Sequence, residues 1–177
     1  MAVVIDKSTM IANRDATPKI LTDAYVANGE VLEAEGYVAP ASGDSAGSQY
    51  KLVSMPSNAR LSSLILQCTA LGGAAAIDVG VFWPTTLVGG GGLNPANAGL
   101  AIAENFFVAA QSVVTALGPT EVENQSGSYT IPKQELPLWQ AIGMAADPGI
   151  DLDIVASVNV AIGANGFLGL KARYVKQ

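Results

Sequence analysis

The sequence predicts an all-β protein. The expected architecture is an antiparallel β-sandwich, jelly-roll-like, with an extended N-terminal arm and one or two short helices. Three observations lead there. Several segments alternate apolar and polar residues with the period of two that a half-buried strand requires. Clusters of Gly, Pro, Asn, Asp and Ser separate those segments at short intervals. Hydrophobic residues make up 50% of the 177 residues and charged residues only 14%, so core material is plentiful and the surface carries fewer charges than the usual share of about a quarter.

Residues 1–28 read as the arm and 29–177 as the sandwich domain. MAVVID has the composition of a short strand. The following stretch is small and polar, with Pro18 and no sustained period, yet it carries Met10, Ile11, Ile20, Leu21, Tyr25 and Val26. That is more apolar material than a solvated tail needs, so the arm is expected to order against a neighbour. Its charges balance, Asp6, Asp15 and Asp23 against Lys7, Arg14 and Lys19.

In GEVLEAEGYVAP, Leu32 and Ala34 alternate with Glu33 and Glu35, a strand with one wet face. ASGDSAGS is a loop by composition. YKLVSMP is a strand that stops at Pro56. In ARLSSLILQCTA, Leu64, Leu66 and Cys68 share a face opposite Ser63, Ile65 and Gln67, and Gly72-Gly73 then turns the chain. AIDVGVFWP alternates in the same way, and Gly89 to Gly92 reads as a surface loop. In IDLDIVASVNVA, Ile150, Leu152, Ile154, Ala156, Val158 and Val160 form one apolar face. GANG reads as a hairpin turn. FLGLKARYVK closes the domain with Leu168, Leu170, Ala172 and Tyr174 inward.

Two segments carry a different period. Phe106, Phe107, Ala110, Val113, Val114 and Leu117 follow i, i+1, i+4, i+7, i+8, i+11, which predicts an amphipathic helix ended by Gly118-Pro119. LPLWQAIGM predicts a shorter helix, with Trp139 and Ile142 on its apolar side.

Net charge is −6. Between Arg60 and Lys133 there is no Lys or Arg, while Asp78, Glu104, Glu121 and Glu123 fall inside that span. No basic stripe with interleaved aromatics is present, so no nucleic-acid partner is expected. No run reaches the ~18 apolar residues of a membrane helix, so no membrane partner is expected either. The N-terminal residues lack the apolar core of a signal peptide. Mean hydropathy is nevertheless positive, which points to surface covered by other copies or by a partner.

The motifs that suggest chemistry do not assemble. Gly43-Asp44-Ser45-Ala46-Gly47 is a G-x-S-x-G string, the mark of a hydrolase nucleophile turn. The chain has no histidine, so Ser-His-Asp chemistry is excluded. Only Lys51 or Lys7 remains as a formal base, and no helix follows Ser45. The string reads as a Gly/Ser loop and the chain as a non-enzyme, with no catalytic residues. Asp151 and Asp153 share a strand face that Asp78 joins if its strand is adjacent. Such a group suits Ca²⁺ in principle, but the spacing is not that of a calcium loop. No metal and no cofactor is expected. Cys68 is the single cysteine and reads as a small buried hydrophobe.

Several long phrases of the sequence carry a resemblance. They are PSNARLSSLILQCTALGGAAAIDVGVFWP, ENFFVAAQSVV, LPLWQAIGMAADPGIDLDIVASVNVA and GFLGLKARYV, preceded by IANRDATPKIL leading into GEVLEAEGYV. Together they resemble the head decoration, or cement, proteins of tailed bacteriophages. The resemblance implies a jelly-roll sandwich with an extended arm. It implies a structural virion protein that binds the outer capsid surface and braces it after assembly in the host bacterial cytoplasm. Its partners would be the major capsid protein and other copies of itself, as a dimer or a trimer. The arm residues Met10, Ile11, Arg14, Ile20, Leu21 and Tyr25 are the expected capsid or subunit contacts. The alternative is a carbohydrate-binding or adaptor β-sandwich of a phage tail or fibre, which exposed aromatics around a concave face would favour.

Overall fold

The structure is a computed structural model and describes residues 7–18, 20, 21, 29–86 and 94–176. The segments MAVVID and Gly89 to Gly92 lie outside the described residues. The strands are β1 (Val31–Val38), β2 (Gln49–Pro56), β3 (Arg60–Cys68), β4 (Ala76–Phe82), β5 (Ala101–Ser112), β6 (Leu117–Glu121), β7 (Asp151–Val160) and β8 (Leu168–Val175). They form two four-stranded sheets, ordered β1-β8-β3-β6 and β2-β7-β4-β5. The antiparallel pairs β1 with β8, β2 with β7, β3 with β6 and β4 with β5 are those of one long hairpin folded between β4 and β5. Rolling up that hairpin brings β3 against β8 and β4 against β7. The result is a jelly roll.

The core lies between the sheets. From β3 it takes Leu64 and Leu66, from β4 Ile77, Val79 and Val81, from β7 Leu152, Ile154, Ala156 and Val158, and from β8 Leu168, Leu170 and Ala172. These are the positions that the alternation places inward. Val160 is the exception. It is 43% exposed, because β7 ends there and the partner sheet no longer covers it. GANG is not a hairpin turn. It carries the chain from β7 in one sheet to β8 in the other, a distinction that alternation, which reports faces and not partners, does not carry.

The helix expected over 103–118 does not form. The segment is β5, a break, and β6. Its helix-like spacing comes from two irregularities. Between Val79↔Val108 and Val81↔Ala103, two steps on β4 take five on β5, and between Ile77↔Gln111 and Val79↔Val108 two steps take three. Such bulges break alternation, so Phe106 and Phe107 are buried side by side. They pack with the buried Tyr129, whose hydroxyl donates to the Leu61 carbonyl at 3.1 Å. The backbone groups freed by the two bulges find partners in the next loop. Ser126 Oγ donates to the Phe106 carbonyl at 2.6 Å, and the Ala109 N–H donates to Gln125 Oε1 at 2.9 Å.

The short helix in LPLWQAIGM does form, as α2 (Leu138–Ala141). Its buried residues are Leu138 and Ala141 rather than Trp139 and Ile142. Its first N–H groups are satisfied by the β2–β3 turn, Leu138 donating to Ala59 at 2.8 Å and Trp139 to Ser57 at 3.0 Å.

Candidate functional site

The arm is not extended throughout. Thr9–Asp15 forms a helix, α1. Ser8 caps it, its Oγ accepting the Ile11 N–H at 3.4 Å, and Ala16 leaves it in an extended conformation two residues before Pro18. The short helix escaped the sequence reading because seven residues, about two turns, leave no periodic signal. Met10 and Arg14 lie on α1, and the half-buried Ile11 lies between them. Beyond it, Ile20 is 54% and Leu21 87% exposed. Tyr25 lies outside the described residues. Of the expected contacts, then, Ile20 and Leu21 are apolar side chains open to an incoming surface.

The outer face of the β1-β8-β3-β6 sheet divides into two halves. One half is a charge ladder. Arg173 donates to Glu33 at 2.8 Å, and Lys171 meets Glu33 at 3.3 Å and Glu35 at 3.2 Å. Cross-strand register places these partners opposite one another, Glu33↔Arg173 and Glu35↔Lys171. Hydrogen bonds from Arg173 and then Lys171 hold the Glu33 carboxyl below its ordinary value. The ladder neutralises basic residues of β8 within the sheet, so they do not form a basic patch.

The other half is a groove of about 530 Å³. Gly169 of β8 stands between Tyr37 of β1 and Gln67 of β3 in the register. With no side chain at Gly169, a slot opens between those two neighbours. Tyr37 is 75% and Phe167 56% exposed, with ring centroids 6.2 Å apart, edge to face. They form one wall, and Leu117 and Pro119 of β6 form the other. Sequence reasoning missed this groove. A glycine within the FLGLKARYV strand was its only trace.

Ser45 sits exposed in a loop pinned to the turn before β8. Gly43 N–H donates to Ile162 at 2.9 Å, Ser42 N–H to Asn165 Oδ1 at 2.7 Å, and Asp44 Oδ2 accepts the Tyr50 hydroxyl at 2.5 Å. Lys51 Nζ, one formal base for Ser45, is bound to Asp153 at 2.9 Å, and Lys7 lies against Asp15 at 3.0 Å. The glycines here serve the turn, Gly43 and Gly47 having φ of +96° and +89°.

The three aspartates do not converge. Asp78 pairs with Ser157, whereas Asp153 pairs with Phe82, four positions along β4 and thus roughly 13 Å away. Asp78 is instead engaged by the Ala110 N–H at 2.6 Å and Asn159 Nδ2 at 2.8 Å. Among the described residues, no group of three or more His, Cys, Asp or Glu is placed to hold a metal ion.

The described residues thus define an eight-stranded jelly-roll sandwich with an exposed arm segment and an open groove on one sheet. No protein-family match and no match among curated proteins is found for the sequence. Among solved structures, a chain in the capsid of Ralstonia phage GP4 is similar, with a TM-score of 0.57 and 18% identity over 84% of this chain and 86% of that one. A chain in the capsid asymmetric unit of cyanophage Pam1 is similar with a TM-score of 0.50 and 14% identity, again over 84% and 86%. The fold is therefore shared with chains of phage capsids.

Proposed function

We propose that this protein is a structural component of a bacteriophage head, a decoration protein that binds the outside of the capsid shell and braces it. The observation that carries the reading is the shared jelly roll, which spans 84% of this chain and 86% of the GP4 capsid chain. Charge supports the outer surface over the inner one. With −6 overall and no Lys or Arg from 61 to 132, the chain would be repelled by packaged DNA. The arm, with Ile20 and Leu21 open, supports attachment to the major capsid protein or to another copy of the chain. The role is binding and not catalysis, and Ser45→Ala is expected to leave it unchanged.

Particles made with and without this protein test the reading. Shells are expected to assemble in its absence and to break at a lower temperature, and added protein is expected to restore them. Imaging of the complete particles is expected to show it as a dimer or trimer on the outer surface. Failure of shells to form at all would make it a shell builder instead. Its absence from purified heads would remove it from the capsid altogether.

A further inference from the structure

The groove on the outer face of the β1-β8-β3-β6 sheet has no part in shell binding as proposed above. We infer that it is a binding site for a neutral glycan. Its volume of about 530 Å³ lies within the range of roughly 300–1,000 Å³ common for small-ligand sites. The wall formed by Tyr37 and Phe167 offers aromatic surface to solvent, and the buried backbone of Gly169 forms the floor. Beside the rings stand polar groups. Gln67 is exposed, and its side-chain amide has no hydrogen bond among the described residues. Glu35 adds a carboxylate at the rim, half-exposed and 3.2 Å from Lys171.

That mixture selects the ligand. A purely apolar side chain entering the groove would strip water from the Gln67 amide and the Glu35 carboxylate and return no hydrogen bonds. A strongly anionic ligand would meet an acidic protein and a carboxylate at the rim. A pyranose ring satisfies both halves. Its C–H face lies against an aromatic ring, and its hydroxyls donate to Glu35 and exchange hydrogen bonds with both ends of the Gln67 amide. The slot is one residue wide, because it is made by one missing side chain between two cross-strand neighbours. It therefore suits a single ring of a chain whose remainder lies outside.

The test is a ¹⁵N–¹H NMR titration of the full chain with neutral oligosaccharides: maltohexaose, cellohexaose, mannohexaose and chitohexaose. At least one is expected to shift the amides of Gly36, Gln67 and Gly169 selectively and saturably. Tyr37→Ala and Phe167→Ala are each expected to weaken that binding by about tenfold. Gly169→Val is expected to abolish it by filling the slot, where a Cβ alone already stands 3.4 Å from its nearest neighbour, the Gln67 side chain. Should Gly169→Val disturb the fold, the two aromatic variants decide, because both remove exposed side chains. The inference is overturned if no saccharide shifts the groove amides, or if the shifts survive the loss of both rings. It is also overturned if those amides respond only to capsid shells or to protein concentration, which would make the groove a protein contact. Because the readout is free protein and free sugar, its failure leaves the shell-binding reading intact, and failure of that reading leaves the groove intact.

Discussion

The carboxylate of Asp78 accepts the backbone N–H of Ala110 at 2.6 Å, and Ala110 has a φ of +51°, the only positive value at a non-glycine among the described residues. A β4 side chain thus holds a β5 residue in the left-handed region, at the bulge where the two strands fall out of step. Asp78→Ala leaves the Ala110 N–H without its acceptor and frees Asn159. It is expected to lower stability by about 1–3 kcal/mol in urea denaturation. Ala110→Gly is expected to act in the opposite sense, raising stability by about 1 kcal/mol, because glycine tolerates that φ. Equal signs for the two variants would refute the account.

Gly80 faces the backbone of the larger bulge. A Cβ on it would stand 2.1 Å from the Ala103 carbonyl oxygen and 2.2 Å from that of Glu104. Backbone on both sides has no rotamer by which to yield. Gly80→Ala is expected to cost more than about 3 kcal/mol or to abolish soluble expression. Gly118→Ala, where nothing lies within 4 Å, is the matched control and is expected to be silent. Thermal melts of the two separate a close approach from a generic intolerance of substitution.

The Cys68 thiol is 8% exposed, and burial pushes its pKa above 9.0, partly offset by a backbone hydrogen bond with Leu117. The thiolate is the reactive form. At pH 8 Cys68 is therefore expected to react with a disulfide reagent far more slowly than a free thiol, and to react at once in denaturant. Fast labelling of the native protein would show that the β3–β6 edge opens.

Glu33 supplies a pH dependence. Its carboxyl is held below the ordinary 4.5 by Arg173 and then Lys171. The folded chain therefore favours the ionised form more than the unfolded chain does. This contribution is complete above pH 4.5 and is lost as the pH falls through the lower folded-state value. Lys171 is shifted upward by Glu35 and then Glu33, and Arg173 by Glu33, so their share is lost only at alkaline pH. Hydrogen exchange is expected to show β1 loosening before β4 and β7 on acidification, with a smaller effect near 1 M salt, where exposed pairs are screened. Glu33→Gln is expected to remove the acid step.

Much of the sandwich was legible in the sequence, for a physical reason. In β3, β7 and β8 one face meets the core, so Leu64, Leu66, Ile154 and Leu170 recur at the period of two that the pleat imposes. Where the backbone departs from the pleat, the text misleads. Phe106 and Phe107 point inward together through a bulge, and their spacing imitates a helix. Partner choice is also silent in a period, which is why GANG reads as a hairpin while it joins two sheets. The groove is harder still. Tyr37, Gly169 and Gln67 come from three strands and meet only through register. Ile20 and Leu21 stand out as apolar residues that no nearby pattern could bury, and both are exposed.

The arm can be tested apart from the sandwich. No described residue before Ala34 belongs to the core or packs against it. Deleting residues 1–24 is expected to leave the melting temperature of the free protein nearly unchanged and to weaken its attachment to shells or to other copies. A truncated chain that binds as well as the full one would move the contact surface to the sandwich.

Val31 opens β1 and Val175 closes β8, and the two are paired across the strands. The described chain therefore enters and leaves the sandwich at neighbouring points. Joining those points with a short linker and opening the chain at the exposed Gly127 turn would give a circular permutant with the same two sheets. In the natural order, β1 and β8 meet only after nearly the whole domain has been made, the most distant pairing of the fold. In the permutant they would form a local hairpin. Folding speed falls as contacts become more distant in sequence, so the rearranged chain would fold faster while reaching the same jelly roll. The adjacency of Val31 and Val175 would make the connectivity of the chain, and not the final architecture, what sets the folding rate.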